Sequence, residues 1–250
     1  MKCVNAEWEL RNLGVKTIEI SIEKNDSSLP TSELLQAVEN FRQEYDAKYV
    51  VVKSDAKYPS ISIDFQRAGF WLMENQIGLK AVRKDLLKAF EDYKKIFYDE
   101  VSYRAADDDD IKMICAEIET GMFTTDRIAL DPYFGLKIAN RRYVLWMQDE
   151  LKRGAFAHIA LYEGKPIGFF LDKIRSEKKL SGLLGGIFKN EQSRNLGAAC
   201  MYASRIFFAN TDWRETKTAV SSNNLNILNL HLMFGHKITD IKNVLVKHFD

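Results

Sequence analysis

The chain has 250 residues, is 46% hydrophobic and 28% charged, and carries a formal net charge of +1. That composition excludes a disordered chain and leaves room for one large or two modest domains. The near-zero charge gives no electrostatic case for nucleic acid as the main partner.

"KTIEISIEK" (16–24) alternates apolar and polar residues, as a half-buried strand does. "LPTSELLQAVENFRQEYD" (29–46) offers Pro30, a Thr31 or Ser32 cap and apolar residues at helical spacing. "AKYVVVKSD" (47–55) is a β-branched strand, "YPSISIDFQRAGF" (58–70) a short helix ending near Gly69, and "WLMENQIGLKAVR" (71–83) a strand. This predicts a small β-α-β-α-β unit over residues 1–97. Residues 84–100 read as a helix bridging to a second unit over 98–250. No Pro/Gly/Ser linker separates the two, so they are expected to pack together.

The second unit opens with strand "VSYRAAD" (101–107) and a helix, "DDDIKMICAEIETGM" (108–122). The acidic first turn complements the helix dipole, and consecutive carboxylates there point apart rather than at one metal ion. A loop and a long amphipathic helix follow (124–154), then a hairpin (155–174) turning at Glu163-Gly164-Lys165, and a glycine-interrupted strand (179–188). "SRNLGAACMYASRIFF" (193–208) runs into a helix, "TKTAVS" (216–221) is a strand, "SNNLNILNLHLMF" (222–234) a helix stopped by Gly235, and the chain closes on a strand. The fold class is therefore α/β or α+β, in layers about a mixed sheet.

Met1 to Asn12 has no apolar h-region and no run is long enough to span a bilayer, so a cytoplasmic protein free of membrane is expected. Cys3, Cys115 and Cys200 lie far apart, which argues against a disulfide framework or a zinc site. His158, His231, His236 and His248 form no H-E-x-x-H pattern, so no metal is expected. No G-x-G-x-x-G follows an early strand, which removes the main support for a dinucleotide-binding oxidoreductase.

Gly197, Ala198 and Ala199 stand where a helix begins. A helix start exposes unpaired N–H groups and the positive end of the dipole, and small residues let an anion approach. The plainer reading is a loop running into a helix that packs through small residues.

Arg194-Asn195-Leu196-Gly197-Ala198-Ala199 fits R/Q-x-x-G-x-G/A, and with the element order over 101–250 the chain resembles the GNAT N-acetyltransferase superfamily. The N-terminal unit then resembles half of the same fold. The resemblance implies acetyl-CoA as cofactor, with its pyrophosphate on this turn and Ile187 and Phe188 beside it. The segment from Ile187 to Arg194 is longer than usual and lacks the common proline. A second match uses N-x-x-A-x-x-x-Y-x-x-x-G-F: Asn224, Ile227, His231 and Gly235 hold that spacing, with His236 in place of Phe. Asn224 and His231 are two helical turns apart and share a face. The resemblance implies that Asn224 contacts the pantetheine arm and that His231, at the Tyr position, protonates the leaving thiolate. An unperturbed imidazole suits that role; the plainer reading is a packed helix residue.

Over the whole length, "WELRNLG" (8–14), "QRAGFWLMENQIGL" (66–79) and "TDRIALDP" (125–132) resemble the dTDP-fucosamine acetyltransferases, which implies a sugar-nucleotide amine as acceptor. The acceptor is expected around Met122 to Tyr133, with Phe123, Asp126, Arg127 and Tyr133 lining its pocket beside Trp146. Arg127 could pair with a phosphate, and Asp126 or Glu117 could deprotonate the amine. A backbone bulge near Gly185-Gly186-Ile187 is expected to expose amides to the thioester. Two alternatives stay open: a non-catalytic acyl-CoA-binding regulatory module, or a GNAT enzyme acting on a polyamine, an aminoglycoside or a peptide. The N-terminal unit, with no cofactor motif, is expected to serve docking or a homodimer.

Overall fold

The computed structural model describes residues 1–97, 100–194 and 196–250; at 192–194 the backbone alone is described. The described strands form one sheet in the order β1-β2-β3-β10-β4-β9-β8-β7-β6-β5. The first half supplies β1 (Lys2–Asn5), α1 (Glu7–Leu13), β2 (Thr17–Ser21), α2 (Thr31–Tyr45), β3 (Tyr49–Asp55), α3 (Pro59–Arg67), β4 (Trp71–Val82) and α4 (Arg83–Phe97). The second supplies β5 (Val101–Ala105), α5 (Asp108–Glu119), α6 (Gly135–Lys152), β6 (Ala155–Tyr162), β7 (Lys165–Ser176), β8 (Lys179–Ile187), α7 (Gly197–Ala209), β9 (Glu215–Ser221), α8 (Leu225–Met233) and β10 (Lys237–His248).

Strands cross between the halves in both directions. β10, from the end of the chain, lies between β3 and β4 and pairs antiparallel with both. β4, from the first half, runs antiparallel to β9 from Gln76–Ser221 to Val82–Glu215. The β-branched run Val50–Val52 is fully buried because β3 is an interior strand covered on both faces. On one face Ile18, Ile20, Leu34, Val38, Phe65 and Leu245 form a core; on the other Tyr49, Val51, Val244 and Val246 join Ile128 and Ala139 of the second half. Each large aliphatic buried this way contributes about 1.5–3 kcal/mol.

Helix ends follow local chemistry. The acidic run at 107–110 is a capping box: Asp107 accepts the Asp109 and Asp110 amides at 3.0 and 2.9 Å, and Asp110 accepts the Asp107 amide at 2.9 Å. Arg104 closes on Asp110 through both guanidinium nitrogens. Arg83, opening α4, donates to the carbonyls of Phe208 and Ala209 at the end of α7 and of Trp213 in the loop beyond. Among the described residues no helix is long and apolar enough to cross a membrane.

Candidate functional site

β8 and β9 are parallel neighbours but pair only over Lys179–Glu215, Leu180–Thr216 and Ser181–Lys217. β8 continues to Ile187 and β9 to Ser221 with no pairing between them. A parallel pair that stops midway leaves a fork inside the sheet. A cavity of about 670 Å³ occupies this fork and extends between the two halves of the chain.

The register also breaks at the fork. Leu171 of β7 pairs with Leu184 of β8, and the next residue, Asp172, pairs with Gly182, so Leu183 is the extra residue. This bulge corrects the one expected at Gly185-Gly186-Ile187, which pair regularly with Phe170, Phe169 and Gly168. Those glycines serve close packing instead: a Cβ on Gly186 would meet Met122 Sδ at 2.3 Å.

At the cavity mouth α7 begins at Gly197, with Leu196 as N-cap and Cys200 the first amide to bond back, to Leu196 O at 2.9 Å. The amides of Gly197, Ala198 and Ala199 therefore precede the first intrahelical donor and stand at the positive end of a thirteen-residue helix. Gly197 lines the cavity, and a Cβ there would meet Leu230 Cδ1 of α8 at 3.2 Å. Close α7–α8 packing uses its missing side chain. Asn195 and the Arg194 side chain lie outside the described residues.

Other expected cofactor residues separate. Ile187 lines the cavity. Phe188 does not: it is buried in the core under α5 and α6, and its amide donates to Ile167 O at 3.0 Å. The Ala199 side chain is likewise core. Asn224 and His231 both line the cavity. Asn224 caps α8, accepting the Ile227 amide at 3.2 Å, which leaves its amide nitrogen to donate. The His231 ring stands edge-on to His236 with centroids 4.7 Å apart. Burial, then the Arg205 charge, bring the His231 pKa down to about 3. Near neutral pH His231 is therefore an uncharged imidazole.

On the other side of the fork the cavity wall joins both halves. Phe123, Asp126, Arg127, Tyr143 and Trp146 come from the second half, and Trp8, Glu19, Lys53 and Glu74 from the first. Arg127 does not present a free charge to a phosphate: it is buried, with Glu19 at 2.5 Å and Glu9 at 3.8 Å. Arg142 is bidentate on the fully buried Glu9, Nε to Oε2 at 3.0 Å and Nη2 to Oε1 at 2.6 Å, and Lys53 reaches Glu19 at 3.2 Å. Burial opposes ionisation of Glu19, but Arg127, Lys53 and Arg142 outweigh it and hold its pKa at about 2. Asp126 is also engaged, accepting the Ala129 amide at 3.0 Å with Arg142 at 3.9 Å. Glu117 is engaged as well, accepting the Lys189 amide at 2.9 Å.

Tyr133 lies elsewhere. It is 64% exposed and stacks on His248 at 4.0 Å, outside the cavity. Its expected place is taken by a residue not singled out in the sequence, Glu74 of β4. Glu74 is 8% exposed, accepts from the Arg127 amide, and has its pKa raised by burial. β4 reads in sequence as an ordinary alternating strand, so only its place in the sheet between β10 and β9 reveals that Glu74 lines the cavity.

No protein-family model matches the chain, and no curated protein matches it in sequence. Solved structures do. A functionally unknown conserved protein from Staphylococcus epidermidis ATCC 12228 superposes with a TM-score of 0.63 at 12% identity, over 94% of this chain and 85% of that one. A GCN5-related N-acetyltransferase from Kribbella flavida gives 0.59 at 13%, over 94% and 82%. Another, from Sphaerobacter thermophilus, gives 0.59 at 12%, over 99% and 75%. At these identities the likeness is one of fold.

Proposed function

We propose, from a fold shared with GCN5-related N-acetyltransferases, that this chain moves an acetyl group from acetyl-coenzyme A to a primary amine. The observation that carries the reading is the fork between β8 and β9, with a helix N-terminus at its mouth and a buried carboxylate beyond it. The residues fit such a donor. The first amides of α7 suit a pyrophosphate, and the unpaired edges of β8 and β9 offer backbone groups to a pantetheine arm. The donor supplies an activated acyl carbon. In the transfer a C–N bond forms, the C–S bond breaks with its electron pair going to sulfur, and the amine gives up a proton.

The chain's own contribution is to hold both reactants in one cleft, where positioning supplies much of the rate. The irregular backbone at Leu183 gives the carbonyl oxygen a place to meet amides. Glu74 receives the amine's proton, since burial raises its affinity for one. Charges across the acceptor side are already matched, Arg127 and Lys53 by Glu19 and Arg142 by Glu9. A uniformly acidic wall suited to a polycation is absent among the described residues. Trp8, Phe123 and Trp146 add flat surfaces. An amino sugar, including one carried on a nucleotide, suits such a wall.

The test is thiol release from acetyl-CoA across a panel of amino sugars, polyamines and peptides. Release with one class, stoichiometric with acetylated product, supports the reading; binding without turnover on any amine supports a non-catalytic acyl-CoA sensor. The neutral His231, where the resemblance implies a proton donor, is what favours that second reading.

A further inference from the structure

On the α7 side of the cavity lies a cation with no carboxylate in ion-pair contact among the described residues. Arg205 is 4% exposed and forms part of the cavity wall. Its terminal nitrogens reach Ser204 Oγ at 3.3 Å, Met201 Sδ at 3.1 Å and His236 Nδ1 at 3.5 Å, and its Nε has no partner. None of these partners is charged. Burial, then Arg205 and His231, bring the His236 pKa down to about 2, so it too is neutral. His231 Nδ1 is also without a partner. Asp172 is the acid whose field reaches Arg205, yet burial pushes its carboxyl up to about 7 against that attraction. No carboxylate among the described residues forms an ion pair with Arg205.

A guanidinium keeps its charge at ordinary pH. Burying it without a contacting counter-charge is unfavourable. Every other strongly buried arginine described above is matched: Arg127 by Glu19 and Arg142 by Glu9. Arg205 stands eight residues beyond Gly197 on α7, about 12 Å further in by helix rise. The cavity thus has a helix N-terminus at its mouth and an unmatched cation along the same helix, deeper in.

We propose that Arg205 binds an anion carried by the thioester donor at its reacting end. The proposal rests on the acyl-transfer reading. Two sources supply that chemistry: the thiolate left when the C–S bond breaks, and the distal carboxylate of a dicarboxylic acyl group such as succinyl. Both ask the same of the guanidinium, and the neutral His231 beside it donates or accepts one further hydrogen bond.

The test is calorimetry in two buffers of different ionisation heat at pH 8, with CoA, its S-methyl thioether, acetyl-CoA and succinyl-CoA. The proteins are wild type, Arg205→Met and Arg205→Lys. If the anion is the thiolate, CoA releases a proton on binding wild type and the thioether releases none. If it is the acyl carboxylate, succinyl-CoA binds wild type at least tenfold more tightly than acetyl-CoA. Either effect disappears in Arg205→Met and survives in part in Arg205→Lys. If Arg205→Met does not fold, Arg205→Lys carries the comparison: an effect undiminished in Arg205→Lys overturns the proposal. Tight CoA binding with no proton release and no preference for succinyl-CoA overturns the proposal. Failure of wild type to bind CoA or either thioester overturns the acyl-transfer reading instead, and this proposal with it.

Discussion

Ser181 of β8 and Lys217 of β9 are the last residues to pair across two parallel strands, and the sheet opens immediately beyond them. Gly182 sits at the branching point, where a Cβ would lie 3.7 Å from Thr218. The fork depends on β9 being held from its other side, and the strand that holds it is β4 of the first half.

Residues 98–250 alone therefore cannot rebuild this sheet. Without β4 and β3, both β9 and β10 lose their neighbours and expose unpaired edges. The fragment is expected to aggregate or to unfold without a cooperative transition. A sharp thermal transition from the isolated fragment would contradict the interleaved architecture.

Arg127→Met leaves Glu19 and Glu9 buried with less positive charge around them. Breaking one side of a buried pair costs about 3–5 kcal/mol, softened here by Lys53 and Arg142, which stay beside the same carboxylates. Urea unfolding should show a loss at the lower end of that range. A loss below 1 kcal/mol would mean that the pair behaves as a surface contact.

Much of the element order is legible in the sequence, because the strands alternate and the long helices carry apolar residues at helical spacing. What sequence patterning does not carry is partnership. β10 reads simply as the strand that closes the chain, yet it lies between β3 and β4. The short β1 and α1 offer too few residues for a periodic signal. Glycines at 185 and 186 suggest a bulge, but they answer to Met122 and the β7 backbone, and the extra residue is Leu183. Tyr133 has the aromatic character of a pocket residue and instead stacks on His248. Arg205 did leave a trace: one charge in the apolar run "MYASRIFF".

Three histidines set the acid response. Burial brings the pKa of His158 to about 4, and burial with Arg205 brings those of His231 and His236 to about 3 and about 2, each from 6.5. A depressed histidine favours the native state above its unfolded pKa, and that contribution is lost as pH falls from 6.5 toward the folded values. Asp172 acts in the opposite sense: its contribution is present below 3.8 and lost as pH rises toward about 7. Glu74, also raised by burial, acts in the same sense as Asp172, and three imidazoles against two carboxyls predict a urea midpoint that declines between pH 6.5 and 4. A flat midpoint over that range would show the imidazoles to be hydrated.

Glu74→Gln tests the acceptor side. Burial raises the Glu74 pKa, so a base at this position is inactive in acid and switches on as pH rises through that raised value. The substitution should lower kcat/KM by roughly 10²–10⁴ and remove the acidic limb of its pH profile. An unchanged acidic limb would assign the base elsewhere.

The central claim is that the α7 N-terminus receives the donor's pyrophosphate. Calorimetry of acetyl-CoA binding to wild type and to Gly197→Glu tests it most directly. Glutamate places bulk and negative charge at the helix start, where Leu230 already lies 3.2 Å from a Cβ. The account predicts micromolar binding to wild type, about −8 kcal/mol, and none to the folded variant. Equal binding to both proteins, or no binding to wild type, would contradict it.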